Sequence, residues 1–299
     1  MSGVLDNNAK PFLKWAGGKT QILNEIRNYY IFNSEITKYV EPFIGGGAVL
    51  FDILNQYDIK EVYISDINAD LINTYSCIKN NVEELILLLE NMEREFLKLD
   101  IEDRKEYYLL RRDEFNIIKF IYDEHAVKKS ALMIFLNKTC FNGLYRVNKS
   151  NKFNVPFGDY KNPKICDTVN LINISKKLKN VNIVCEDYKK SLDIIDNSTF
   201  VYIDPPYRPI SLTSSFTSYS KDSFDDKDQI ELSDFVNKIN KIGAKFLLSN
   251  SDPRNNNSDD NFFDDLYSNY NINRIFANRS INSKGNLRNK ITELLISNF

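Results

Sequence analysis

The apolar run Phe200-Val201-Tyr202-Ile203 stops on Asp204-Pro205-Pro206-Tyr207, and no other stretch of the chain constrains the fold as tightly. A β-branched and aromatic run closed by an acid and two prolines predicts a buried strand that empties into a rigid turn. Two prolines fix two φ angles, so the Pro205 and Pro206 carbonyls are held nearly still. A carboxylate beside a fixed carbonyl can accept both hydrogens of one exocyclic amine, and Tyr207 adds a flat ring alongside. An Asp-Pro-Pro turn by itself is commonly no more than the end of a strand. The tyrosine is what tilts it towards chemistry.

Around that strand, short apolar runs alternate with longer amphipathic stretches, the signature of an α/β fold. Strands are predicted near Tyr39–Phe43, Glu61–Ser65, Asn182–Cys185, Phe200–Ile203, Lys245–Ser249, Asn273–Phe276 and Thr292–Ile296. Helical periodicity runs through Lys19–Asn28, Ala69–Lys79, Val82–Lys98, Arg104–Lys119, Ala126–Leu136 and Lys227–Ile242. From about Leu85 to Leu136 the pattern is helical without a strand, too long for one crossover. Lys138–Lys164 then loses clean periodicity and becomes rich in Asn, Lys, Gly and aromatics. These stretches are expected to form an insert over residues 81–165, dividing a catalytic domain into parts at 1–80 and 166–299. The polar loop Arg254–Asp260 shows no visible chemistry.

A net charge of −2 does not announce a nucleic-acid binder, but its distribution is uneven. Between Lys128 and Lys164, eight basic residues face one acid, Asp159, a local balance of +7. Such a patch suits phosphate, and a solvated surface with compensating acids nearby in space would read the same way. Lys284, Arg288 and Lys290 form a second basic cluster. Cys77, Cys140, Cys166 and Cys185 are scattered with no CxxC pair, which points to reduced thiols rather than disulfides or zinc. A single histidine, His125, leaves little material for a metal site or a histidine-based triad. No run approaches the ~18 apolar residues of a membrane span, and Met1–Lys10 lacks the apolar core of a secretory signal. A cytoplasmic protein, without metal or membrane contact, is expected.

Directly after the first strand comes Glu41-Pro42-Phe43-Ile44-Gly45-Gly46-Gly47-Ala48, where glycines allow a tight turn and close backbone approach to a ligand. Asp66 ends the next strand, Val62-Tyr63-Ile64-Ser65-Asp66. An acid about 20 residues after such glycines binds ribose hydroxyls in nucleotide-binding α/β folds, so the pairing suggests a ribose-bearing cofactor. The full G-x-G-x-x-G of a dehydrogenase is absent, which disfavours NAD. Gly18-Lys19-Thr20 copies the tail of a P-loop, but Leu13 stands where the first glycine is needed and no strand precedes it. An NTPase is rejected.

In chain order, Phe12-Leu13-Lys14-Trp15-Ala16-Gly17-Gly18-Lys19, Glu41–Gly47 and Asp204–Tyr207 resemble the Dam-like DNA adenine-N6 methyltransferases, the GATC-type α-group amino-methyltransferases. The likeness continues through Asn137-Lys138-Thr139-Cys140-Phe141-Asn142-Gly143-Leu144-Tyr145-Arg146, Phe153-Asn154-Val155-Pro156-Phe157-Gly158, Phe216-Thr217-Ser218-Tyr219, Leu248-Ser249-Asn250 and Arg279-Ser280-Ile281, nearly the whole chain. It implies a Rossmann-like S-adenosylmethionine-dependent methyltransferase sheet carrying an inserted, mainly helical DNA-recognition domain. The implied cofactor is S-adenosylmethionine, with Trp15 and Lys19 at its methionine end and Phe43, Gly45 and Gly47 in the turn beneath it. Asp66 would take the ribose hydroxyls, Asp187 and Tyr188 the adenine, and Asp204 would border the methyl donor.

The acceptor implied is an adenine flipped out of double-stranded DNA. Its amine is a poor nucleophile until both N–H groups are bonded, by the Asp204 carboxylate and the Pro206 carbonyl, while Tyr207 stacks on the base. Methyl transfer then needs positioning and electrostatics rather than a histidine base. In the insert, the resemblance makes Arg146 the guanine reader, through its bidentate fork. It makes Phe141 and Asn142 the residues that fill the gap left by the flipped base, and Leu144, Pro156 and Lys14 further base contacts. Lys138, Lys149 and Lys152 would meet phosphate or simply aid solubility. A well-known pattern of the family has Arg-Tyr-Asn where this chain has Arg146-Val147-Asn148, and Tyr where it has Phe141, so intercalation here lacks a hydroxyl. GATC is the expected site and a monomer the expected state. Cytosine N4, RNA or a protein glutamine as acceptor, and a DNA reader without activity, are the alternatives; Asp204 at the motif's first position favours adenine.

Overall fold

The computed structural model describes residues 7–121, 124–208, 224–278 and 290–299. The chain forms a mixed α/β fold on one seven-stranded sheet. Its strands are β1 (Lys38–Glu41), β2 (Glu61–Asp66), β3 (Val181–Cys185), β4 (Thr199–Ile203), β5 (Lys245–Ser251), β6 (Asn271–Asn278) and β7 (Lys290–Ser297). They lie in the order β3-β2-β1-β4-β5-β7-β6. β1 to β5 pair in parallel, and β7 runs antiparallel between β5 and β6. All seven predicted strands are present, each within a few residues of its expected limits.

The helices are α1 (Leu23–Ile26), α2 (Ala48–Gln56), α3 (Ala69–Asn80), α4 (Val82–Lys98), α5 (Ile101–Ile118), α6 (Ala126–Thr139), α7 (Thr168–Leu178), α8 (Asp226–Ile242) and α9 (Phe262–Leu266). The continuous helix expected over Lys19–Asn28 is instead a 3-10 turn, the single turn α1, and a second 3-10 turn ending at Tyr29. α2 and α7 were not legible as periodic stretches. Ala48-Val49-Leu50-Phe51-Asp52-Ile53 is buried on every side, so it shows no polar face. α7 is rich in Asn and β-branched residues of modest helix propensity, and is started by the Asp167 side chain accepting from Asn170 N–H.

Burial alternates along the strands. Tyr39, Phe200, Tyr202 and Leu247 face one apolar cluster, and Val40, Val201, Ile203, Phe246 and Leu248 the other. Both faces are therefore covered, as a parallel sheet requires. α8 covers the second face with Leu232, Phe235, Val236 and Ile239, started by an Asp225–Asp228 capping box and stopped by Gly243 at φ 90°. α4 is amphipathic, burying Leu85, Ile86, Leu89, Met92 and Phe96. α6 is buried over most of its surface, Lys129, Ser130 and Asn137 included, and sits among α3, α4 and α5. The stretch after α6 is closed by two antiparallel bridges, Cys140 with Phe157 and Val147 with Phe153.

Chain order reverses at β1: β2 and β3 extend the sheet to one side, β4 and β5 to the other. Ligands of open α/β sheets bind outside the carboxyl ends of strands at such a switch point. Glu41, Asp66 and Asp204 stand at those ends on β1, β2 and just beyond β4.

Candidate active site

The glycine turn leaves β1 through Pro42 and Phe43, and Ile44 N–H donates to the Ser65 carbonyl of β2 at 3.0 Å. Gly47 then starts α2 at φ 70°, where a Cβ would lie 2.4 Å from the Tyr75 hydroxyl. Gly45, at φ 45°, is pressed against Trp15, whose indole would be 2.9 Å from a Cβ there. Backbone and indole therefore approach as closely as glycine allows.

Asp66 is tied to that turn. Its Oδ2 accepts from Gly45 N–H at 3.2 Å and its Oδ1 from Asn68 N–H at 2.9 Å. Burial pushes its pKa above the ordinary value, and the backbone donors oppose this in part. The neighbouring strand ends bring Asp187 and Tyr188 to the same edge, since Asp66 pairs with Cys185. Tyr188 stacks on Phe43 with centroids 5.0 Å apart, and Asp187 is exposed, its carboxylate accepting from Lys189 N–H at 3.0 Å. Ile67, directly after Asp66, is an exposed large apolar side chain that sequence reasoning passed over.

On the other side of β1, Asp204 Oδ1 lies 2.7 Å from Lys19 Nζ and accepts from Ser249 Oγ at 3.0 Å. Lys19 also donates to the Tyr207 hydroxyl at 2.7 Å and to the Gly17 carbonyl at 2.8 Å. The Tyr207 hydroxyl in turn donates to Glu293 Oε2 at 3.1 Å. Burial alone would lower the Lys19 pKa, but Asp204, Tyr207 and Glu293 outweigh it and hold the ammonium above its ordinary value. Asp204 and Glu293 are both raised, chiefly by burial, with Lys19 opposing. Glu41 is raised well above its usual range by burial, opposed by the Tyr39 hydroxyl that donates to it at 2.7 Å. The Pro206 carbonyl accepts from Gln229 Nε2 at 3.2 Å, and Gln229 Oε1 accepts from Asn250 Nδ2 at 3.1 Å. Ser249, Gln229 and Glu293 carried no assignment in the sequence.

The residues expected to read DNA gather around α6 and the loop after it. Asn137, buried in α6, accepts from Lys14 N–H at 2.9 Å and donates to the Lys14 and Gly143 carbonyls at 2.9 and 2.8 Å. This clamps the Lys14 segment to the loop holding Phe141, Asn142 and Leu144. Phe141 is exposed, its N–H donating to the carbonyl of exposed Pro156 at 2.9 Å, and Asn142 is exposed with φ 57°. Arg146 Nε and Nη2 donate to the Asn154 side chain and carbonyl at 2.8 and 3.1 Å. The +7 patch is partly neutralised in space: Lys128 pairs with Glu114 and Lys164 with Asp167. Lys138 is largely buried, and burial together with Lys14 lowers its pKa. The Phe216-Thr217-Ser218-Tyr219 and Arg279-Ser280-Ile281 segments, with Lys284 and Arg288, lie outside the described residues. No helix among the described residues is long and apolar enough to cross a membrane, and no group of three acidic, His or Cys side chains there could hold a metal ion.

Residues 15–281 match the model of the D12 class N6 adenine-specific DNA methyltransferases. The chain belongs to that family. It is 54% identical to the type II methyltransferase M.MjaIII of Methanocaldococcus jannaschii, over 97% of this chain and 99% of that protein. It is 39% identical to the type II methyltransferase M1.LlaDCHI of Lactococcus lactis subsp. cremoris, over 98% and 96% of the two chains. The DNA adenine methylase of Escherichia coli (strain K12) is 32% identical over 96% and 94%. The reaction of this D12-class family is methyl transfer to adenine N6 of DNA. Two sets of strand ends, β1/β2 and β4, carry its two candidate half-sites on adjacent strands.

Proposed function

We propose that the protein transfers a methyl group from S-adenosylmethionine to a flipped adenine in double-stranded DNA, in the site GATC. The observation that carries this reading is the placement of Asp204-Pro205-Pro206-Tyr207 beyond β4, across β1 and its glycine turn from Asp66 on β2. One half-site can then hold a nucleoside cofactor while the other holds the acceptor base. The sheet is read as Rossmann-like, with residues 81–165 as the recognition insert between catalytic parts 1–80 and 166–299.

The residues fit the cofactor. Among the described residues Asp66 accepts from the backbone N–H groups of Gly45 and Asn68, which hold it at the turn, and Ile67, Phe43, Asp187 and Tyr188 offer apolar and polar contact for a base. Ser65 Oγ and Tyr188 Oη are buried without a hydrogen-bond partner among the described residues. Trp15, Gly45 and Gly47 form the floor beneath. S-Adenosylmethionine bound there would supply an electrophilic methyl group.

Asp204 Oδ1 is already held by Lys19 and Ser249, so Oδ2 is assigned to one adenine N–H. The Pro206 carbonyl accepts from Gln229 and keeps a second lone pair, which is assigned to the other N–H on the same rigid turn. Two acceptors on one amine draw its nitrogen towards tetrahedral geometry and raise its nucleophilicity. Tyr207, fixed through its hydroxyl by Lys19 and Glu293, presents its ring to the base. Asp204 can take the proton released from N6, with Lys19 stabilising the charged carboxylate beforehand.

In the insert, Arg146 reads guanine, Phe141 and Asn142 occupy the gap in the duplex, and Lys14, Leu144 and Pro156 complete the contact surface. Relatives named type II methyltransferases and DNA adenine methylases support methylation of DNA adenine as the reaction. The test is transfer of labelled methyl to two matched duplexes, one with GATC and one with that site scrambled, with identification of the product nucleoside. N6-methyladenine from the GATC duplex alone supports reaction, acceptor and site together. Equal labelling of both leaves the chemistry standing and removes the assignment of Arg146. Full activity in Asp204→Ala would sink the catalytic assignment.

A further inference from the structure

Tyr145 precedes Arg146 and is buried, although no role was assigned to it. Its hydroxyl donates to Asp70 Oδ2 at 2.6 Å, and Lys119 Nζ lies 2.9 Å from the same oxygen. Three distant parts of the chain meet there. Tyr145 comes from the loop after α6, Lys119 follows α5, and Asp70 lies in the first turn of α3. Lys119 is also ringed by Phe115, Phe120 and Tyr145, at 5.4, 5.8 and 6.0 Å from its ammonium. A buried pair of this kind adds little net stability over an apolar replacement, and its best-attested use is to fix register.

The contacts of Tyr145 lead to the cofactor turn by two routes. Through Asp70 they reach α3, whose first turn is capped by Asn68, accepting from Leu71 N–H at 3.1 Å, two residues after Asp66. Through its ring they reach Trp15, stacked at 5.7 Å with the planes 25° apart. Trp15 is the side chain that covers Gly45 and Gly46, 2.9 and 3.0 Å from where a Cβ would stand. Gly45 N–H closes the circuit by donating to Asp66.

We infer that Tyr145 is a positioning residue for the cofactor site. Its hydroxyl locks the DNA-reading insert to the start of α3, and its ring presses Trp15 onto the glycine turn. The insert and the turn are thereby held in one relative placement. The inference rests on the reading of that turn as the S-adenosylmethionine site.

Trp15 is the only tryptophan in the chain, so intrinsic emission reports on this stack directly. The experiment compares wild type, Tyr145→Phe and Tyr145→Leu by Trp15 emission, calorimetric titration with S-adenosylmethionine, and melting temperature. Tyr145→Phe keeps the ring and loses the bond to Asp70; Tyr145→Leu loses both. Loss of coupling through such a contact network predicts cofactor binding weaker by about two- to thirtyfold in Tyr145→Phe. A red shift of emission is expected in both variants, larger in Tyr145→Leu. Unchanged affinity and emission in both variants would overturn the inference. So would an affinity loss that merely follows the melting temperature with emission unmoved. If wild type itself bound no S-adenosylmethionine, the proposed function would fail, while emission of the ligand-free variants would still decide whether Tyr145 positions Trp15.

Discussion

Replacing Lys19 by methionine keeps most of the side-chain volume and removes one charge from the centre of the site. In the native arrangement Asp204 Oδ1 has that ammonium at 2.7 Å, and the carboxyl is 20% exposed. Burial already lifts the Asp204 pKa, and Lys19 is the main group pulling it back. A close opposite charge lowers a carboxyl pKa by about 1–3 units, worth roughly 1.4–4 kcal/mol. Taking it away must therefore raise the pKa by that amount. The proposed role needs Asp204 ionised, as acceptor of an N–H and then of a proton. On the acid limb of kcat/KM, activity falls about tenfold for each unit by which pH lies below the pKa. Lys19→Met should accordingly move the acid limb of that profile upwards by about one to three pH units. Activity falls at any pH on that limb and recovers as pH rises. The assay is labelled methyl transfer over a broad pH range, with a melting curve to show that the variant is folded. A loss of the same size at every pH, with the limb unmoved, would refute the reasoning and assign Lys19 to something other than Asp204.

Glu41→Gln preserves an acceptor for the Tyr39 hydroxyl and removes a buried ionisable group. Because the folded-state pKa of Glu41 is raised, wild type loses stability as pH climbs from the ordinary value of 4.5 to the folded one, by at most about 1.4 kcal/mol per pH unit, and the variant does not. Melting temperatures that separate with rising pH bear this out; parallel curves do not. Gly47→Ala forces a left-handed φ of 70° and a Cβ 2.4 Å from Tyr75, so chemical denaturation should show a loss of about 1–3 kcal/mol or more. Arg146→Ala should relax discrimination at one base pair by about 1–3 kcal/mol, measured as the ratio of kcat/KM on matched and single-mismatch duplexes. An unaltered ratio would remove Arg146 from base reading.

Much of the fold was legible because strands and turns leave local marks. Gly45 and Gly47 require backbone that other residues resist, and two prolines end β4 where the apolar run ends. Glu293 shows what local marks miss. It falls inside a predicted strand, but nothing in the sequence says that β7 inserts antiparallel beside β5. That insertion pairs Glu293 with Ser251 and carries it to Tyr207. Lys119 was hidden in a similar way, as the last charge of an amphipathic stretch that reads as solvated, until Asp70 and Tyr145 arrive from elsewhere. The basic patch shows the opposite limit of a local count. Glu114 and Asp167 lie outside or beyond the counted window, yet they neutralise two of its lysines in space.

The electrostatics of the strand ends add a constraint that neither motif spacing nor topology contains. Glu41, Asp204 and Glu293 are each raised above their ordinary pKa, and the charge that opposes this for the latter two is the single ammonium of Lys19. Carboxyls shifted in this way are unfavourable to the folded state when ionised, whereas the raised Lys19 ammonium beside them favours it. The arrangement is best understood as a site short of positive charge, and perturbed carboxyls of this kind concentrate where ligands bind. A cation arriving beside Asp204 and Glu293 would lower both pKa values and be bound the more tightly for it. A sulfonium cofactor carries that charge, whereas a neutral nucleoside does not. Asp204 and Glu293 thus favour a cationic methyl donor over a ligand of similar shape without the charge.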